Sequence, residues 1–148
     1  MSLGEAIALG CLIAYLGALA IIDLRTRRLP NLLVYPGIAV ALAAAPLLPA
    51  DGYLNALAGG LAAFALFALI YFVAAPGVLG GGDVKLAPVL GAALGLPDAL
   101  YALALGPLLV AVVAVPMIVA GRWTLRSRVP YGPYLAAGTI GVAIARSL

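Results

Sequence analysis

Between Asp51 and Asp83 the chain reads GYLNALAGGLAAFALFALIYFVAAPGVLGGG, residues 52–82, without one charged side chain. A helix rising 1.5 Å per residue needs ~20 apolar residues to cross ~30 Å of hydrocarbon, and this run exceeds that. Its end is marked by Pro76-Gly77 and then by Gly80-Gly81-Gly82, which predict a helix stop and a glycine loop ahead of Asp83. The stretch reads as a membrane span.

Outward from it, the uncharged runs are 6–22 and 32–50 on one side and 86–97, 99–121 and 129–145 on the other. The run 86–97 is short. It reaches spanning length only if its helix begins near Asp83, which sets Asp83 and Lys85 at the membrane boundary. The expectation is an all-α polytopic membrane protein, a single domain over residues 1–148 with about six transmembrane helices and no soluble domain. Five spans with a re-entrant fourth segment is the alternative.

Composition points the same way. The 148 residues are 66% apolar and 9% charged, with mean hydropathy +1.23, against ~45–50% apolar and ~25% charged in soluble domains. There is no histidine, and the single cysteine, Cys11, lies within an apolar run. An internal disulfide, a CxxC zinc site, Ser-His-Asp and Cys-His catalysis and haem ligation by histidine are thereby excluded. Carboxylates, lysine, arginine, hydroxyls and backbone remain.

The basic residues assign sides. Arg25, Arg27 and Arg28 follow the first run, Lys85 the third, and Arg122, Arg126 and Arg128 the fifth, all on one side of a six-span bundle. The other side carries Glu5, Asp51 and Asp98 with one base, Arg146. The positive-inside rule makes the basic side cytoplasmic and places both termini outside. The net charge of +3 therefore reflects membrane orientation, and no nucleic-acid partner is implied. Run 6–22 is a retained helix rather than a signal peptide, because Glu5 precedes it and the bases follow it. The spacings Gly77-Gly81 and Gly91-Gly95 carry no weight in a chain with 18 glycines.

Asp51 and Asp98 sit in turn settings, Pro49-Ala50-Asp51-Gly52 and Leu96-Pro97-Asp98, and read as boundary charges. Asp23 and Asp83 fall together on the basic side at similar depth. If the first and fourth helices pack against each other, one carboxylate can be ionised and deprotonate a water while the other, protonated, donates to a carbonyl oxygen. Gly80 and Gly82 ahead of Asp83 leave a surface free of side chains for an extended peptide. Walker A would need Gly-Lys-Ser/Thr, and the dinucleotide fingerprint a preceding strand; neither is present. Lys85, two residues past Asp83, points to the other side of a helix, and serves as a boundary charge or binds a lipid phosphate or an acidic substrate residue.

Three motifs carry a resemblance: Asp23-Leu24-Arg25-Thr26-Arg27-Arg28-Leu29-Pro30-Asn31, Gly80-Gly81-Gly82-Asp83-Val84-Lys85-Leu86 and Pro130-Tyr131-Gly132-Pro133-Tyr134-Leu135. In this order they resemble the type IV prepilin peptidases, membrane aspartyl proteases of the GxGD class that include the archaeal preflagellin peptidases. The resemblance implies Asp23 and Asp83 as the catalytic pair, with Gly80 and Gly82 shaping the loop, and with no metal or cofactor. Leu29 replaces the family's isoleucine, a volume-conserving change. Pro30 suits the first turn of the second span and Asn31 can satisfy free backbone groups there; Pro133 suits the first turn of the sixth, beside Pro130 and Gly132.

The implied activity is cleavage of the leader of a prepilin-like precursor with a hydrophobic N-terminal helix, at the cytoplasmic face of the cell membrane. With no room ahead of the first span for the extra segment of the methylating members, the chain reads as a short, peptidase-only form similar to those serving Flp/Tad pili or archaeal filaments. Two other classes compete on the residues alone: a small proton-coupled transporter or proton-conducting bundle, and a structural membrane subunit that tolerates loss of both acids. The orientation is testable with reporter fusions. Fusions after Arg28 or Arg126 are expected to report cytoplasm, and fusions at Asp51 or Asp98 the outer side; the same side for positions 28 and 51 would mean that the second span does not cross.

Overall fold

A computed structural model describes residues 2–26, 28–73, 79–122, 124, 129 and 131–147. Among these the chain forms α1 (Leu3–Thr26), α2 (Asn31–Ala43), α3 (Tyr53–Val73), α4 (Gly81–Leu94), α5 (Asp98–Val119) and α6 (Gly132–Ser147), with a short 3-10 turn, Ala45–Leu47, after α2. It is the expected all-helical membrane bundle.

The helices alternate in length. α1, α3 and α5 have 24, 21 and 22 residues and are long and apolar enough to cross a membrane. Their outward side chains face lipid: Phe72 and Val119 are 81% and 83% exposed. α2, α4 and α6 have only 13, 14 and 16 residues. The run 32–50 is therefore not one span. Its helix stops at Ala43, ahead of Pro46, which has no N–H to continue the α-helical ladder and lies in the 3-10 turn instead. The chain then turns through Asp51 at φ 52° and Gly52 at φ 135° into α3.

The loop expected at Gly80, Gly81 and Gly82 is also corrected. Gly80 caps α4 in extended backbone at φ −76° and ψ 141°, while Gly81 and Gly82 are already helical. Glycine here starts the helix rather than holding a loop open. α4 then ends at Gly95, which takes φ 67°, so at 1.5 Å per residue it is about 21 Å long. The expected stop at Pro76-Gly77 lies outside the described residues.

All three short helices begin at the basic end of the bundle. α4 is the central one: it packs most closely on α3 and also meets α2, α5 and α6. Leu86, Leu90 and Leu94 are among its fully buried side chains. The closeness of α3 and α4 has a particular cause. A Cβ on Gly91 would overlap the Gly59 carbonyl and come within 2.7 Å of Ala63 Cβ, and one on Gly59 would overlap the Gly91 carbonyl. Gly91, discounted on spacing, is thus a backbone contact point.

The opposite end is closed by polar ties. Asn55 Nδ2 donates to the carbonyls of Ala50 (3.0 Å) and Leu96 (3.1 Å), and Asn55 Oδ1 accepts from the Leu96 N–H (2.9 Å). Arg146 Nε donates to Asp98 Oδ2 at 2.6 Å, joining the end of α6 to the start of α5. Asp98, read as a lone boundary charge, is an ion-pair partner. Because overpacking a tight contact typically costs ~1–3 kcal/mol, Gly91→Val is expected to lower the thermal stability of the detergent-solubilised chain clearly. Gly10→Val, where a Cβ meets nothing within 4 Å, is expected to leave it near wild type.

Candidate active site

α1 ends where Thr26 Oγ1 donates to the Ile22 carbonyl (2.8 Å) and accepts from the Arg28 N–H (3.3 Å). Asp23 therefore lies in the last turn of α1, and Asp83 in the first turn of α4. Each is only 7% exposed, a costly position for a carboxylate unless donors reach it.

Each finds a glycine. The N–H of Gly132, the first residue of α6, donates to Asp23 Oδ2 at 3.2 Å. A Cβ on Gly132 would lie 2.6 Å from that same oxygen, so only glycine lets the carboxylate come this near the start of α6. Asp83 folds back on its own helix start, where the Gly80 backbone N–H bonds its carboxylate. This is the N3-to-N-cap half of a capping box. A Cβ on Gly80 would stand 2.9 Å from Asp83 Oδ2. Asp83 sits at the positive end of its own helix dipole, whereas Asp23, at the negative end of α1, faces the positive end of α6.

The two carboxylates are within electrostatic reach of each other, the charge on Asp23 acting on Asp83. The packing that brings them there differs from the expected contact of the first and fourth helices. α6 packs against both α1 and α4, and its first residue holds Asp23, so the start of α6 links the two acids.

Gly82 and Leu29 form a second link. A Cβ on Gly82 would lie 3.3 Å from Leu29 Cβ, so the leucine ahead of Pro30 covers the start of α4. Gly82 has no positive φ, since among the described glycines the positive values belong to Gly52, Gly95 and Gly121; bulk against Leu29, rather than backbone strain, is what a substitution there would introduce. Pro30 is the N-cap of α2, one place ahead of the expected first turn, and no side chain caps that helix. Asn31 does not satisfy backbone groups as expected. Its Oδ1 accepts from Lys85 Nζ at 3.0 Å, and the same ammonium stands 6.0 Å from the Tyr35 ring centroid. Lys85 thus ties α4 to α2 and faces away from Asp83. Pro133 lies in the first turn of α6, and Pro130 lies outside the described residues. Among the described residues no three His, Cys, Asp or Glu side chains converge as a metal site would need.

Residues 10–115, which include both acids, match the model of the type IV leader peptidase family. The chain belongs to that family. It is also similar to a prepilin leader peptidase/N-methyltransferase of Bacillus subtilis (strain 168), at 31% identity over 128 residues, 86% of this chain and 51% of that relative. The chain thus spans about half the length of the curated relative it matches. No solved structure matches it. Gly132 lies beyond the family match, and its part in holding Asp23 was visible in the sequence only as the glycine of the third motif. The Asp98–Arg146 pair left no local signal, since its partners are 48 residues apart.

Gly132→Ala, which sets a Cβ 2.6 Å from Asp23 Oδ2, is expected to push Asp23 off the start of α6 and to lower the thermal stability of the detergent-solubilised chain. Gly141→Ala, where a Cβ meets nothing within 4 Å, is expected to leave it near wild type; equal stability of the two variants would show that the contact of Asp23 with the start of α6 is immaterial to the fold.

Proposed function

We propose that the chain is an aspartic endopeptidase that removes the leader of prepilin-like precursors, with Asp23 and Asp83 as its acid–base pair. The observation that carries this reading is the pairing itself: two buried carboxylates, one in the last turn of α1 and one in the first turn of α4, within electrostatic reach, each given one glycine N–H donor. Like charges so placed favour a state with one proton on the pair. The ionised member accepts a proton from water as that water attacks the scissile carbonyl carbon, and the protonated member donates to the carbonyl oxygen. The tetrahedral diol collapses as a proton passes to the leaving nitrogen, and the C–N bond breaks.

The bases at this end, Arg25, Arg28, Lys85 and Arg122 among the described residues, support a cytoplasmic active face by the positive-inside rule. A cell-membrane location and a precursor with a hydrophobic N-terminal helix follow from the same reading. The proposal covers peptide-bond hydrolysis alone. A proton-conducting bundle would need polar groups between its ends, but the core between Asp83 and Asp98 is built of Leu16, Leu19, Leu86 and Leu90, with Thr139 as the buried uncharged polar side chain among the described residues.

Asp23→Asn and Asp83→Asn keep the side-chain volume and remove one ionisable group each. Both are expected to reduce precursor cleavage by at least ~10³-fold in membranes or detergent, with insertion intact. Substantial turnover by either variant would remove the aspartyl mechanism. Activity that a chelator abolishes and zinc restores would do the same.

A further inference from the structure

Run 6–22 carries a single hydroxyl, that of Tyr15, which stands on α1 just over two turns ahead of Asp23 and so about 12 Å from it along the helix. The hydroxyl donates to the Leu33 carbonyl of α2 at 2.9 Å. Its place is kept open by Gly37, a buried residue of α2 on which a Cβ would overlap that same hydroxyl. Hydrocarbon offers a hydroxyl no other partner, so breaking this bond leaves an unsatisfied polar group. Tyr15 is thus fitted to α2 by shape and by hydrogen bond together.

The fit matters because α1 and α2, though consecutive, do not pack closely on each other. Among the described residues α1 packs on α6 and the 3-10 turn, whereas α2 packs chiefly on α4, to which the Lys85–Asn31 hydrogen bond also ties it. The two acids therefore stand on separate assemblies, Asp23 on α1 and Asp83 on α4 with α2. Two ties join them: the start of α6 at Asp23 itself, and Tyr15. A helix held at one point can still roll about its axis, and a second point ~12 Å away along it stops that roll. The motion to be stopped is small. With side chains reaching ~5 Å from a helix axis, a roll of about 12° moves a carboxylate by ~1 Å.

We infer that Tyr15 is a positioning residue for the acid pair: bonded to Leu33 and seated against Gly37, it fixes the roll of α1 and holds Asp23 in register with Asp83. The inference rests on the proposed peptidase activity. A reacting group misplaced by ~1 Å can cost about a hundredfold in rate, so the loss of this tie is read in kcat. KM stays as it was, because the tie joins two helices of the chain to each other.

Tyr15→Phe keeps the ring and removes the donor. Per folded molecule in detergent, with a prepilin-like precursor as the probe, kcat is expected to fall at least ~10-fold while KM stays within about twofold and thermal stability stays near wild type. Carboxylates moved apart interact less, so the pH range that keeps one proton on the pair shrinks and the pH profile of kcat is expected to narrow. Gly37→Ala sets a methyl where the hydroxyl sits and is expected to lower kcat in the same way. The double variant is expected to fall no further, since both changes remove one tie. Tyr101→Phe on α5, 60% exposed at its native tyrosine, is expected to alter none of these quantities.

Wild-type kcat in Tyr15→Phe, or a loss that vanishes once activity is scaled to the folded fraction, would overturn the positioning role. So would a fall in kcat with a pH profile of unchanged width, a change confined to KM, or single losses that multiply in the double variant. Gly37→Ala, read by the same kcat and pH profile, decides the matter alone if Tyr15→Phe does not fold. Failure of the native chain to cleave any prepilin-like probe would overturn the peptidase reading, and this inference with it.

Discussion

A carboxylate at the edge of hydrocarbon must be supplied with hydrogen-bond donors, and here the donors are backbone N–H groups that only glycine leaves accessible. The Gly132 N–H reaches Asp23 Oδ2 at 3.2 Å, and Gly80 does the same for Asp83. Both donors stand at helix starts, where N–H groups have no partner within the helix. This explains why the short helices α4 and α6 begin at the basic end, and why α6, packed against both α1 and α4, is the element on which the site turns. The rest of the bundle fixes the depth at which α4 and α6 begin.

Two features of the far end serve that purpose. Arg146 and Asp98 tie the end of α6 to the start of α5, and Asn55 binds the Ala50 and Leu96 backbones together. Between the ends, the Gly59–Gly91 crossing brings α3 and α4 to backbone contact. In a bilayer the lipid is as apolar as the core, so association between helices depends on such close packing and on polar ties rather than on hydrophobic burial. α3 and α4 are in backbone contact, whereas α2 and α3 part over α4 around an apolar groove.

The membrane character, the number and order of the helices and the two acids were legible in the sequence because each has a local signal. Long uncharged runs mark helices, and Asp23 and Asp83 stand at run ends beside bases and glycines. The site's other particulars were not local. That α2 stops at Ala43 depends on prolines within a run whose hydropathy continues past them. That Gly91 is a contact point depends on Gly59, far away in the chain. Asn31 pairs with Lys85, and Asp98 with Arg146, across 54 and 48 residues. Hydropathy also cannot distinguish core from lipid: the fully buried Leu86 and the exposed Leu54 are the same residue in different surroundings. The glycines before Asp83 were read as a loop because glycine weakens helices in general; at the first positions of a helix that cost is small, and the absence of Cβ atoms decides.

The central claim is that Asp23 and Asp83 act on one water. An experimental structure of the chain with an uncleavable precursor analogue bound, its scissile amide replaced by a hydroxyethylene, tests it most directly. Two hydrogen bonds of ~2.8 Å to a shared oxygen require the nearest carboxylate oxygens to lie within about 6 Å of each other, with the analogue's hydroxyl between them. Carboxylates more than ~10 Å apart with the analogue in place, beyond the reach of one bridging oxygen, would contradict the account.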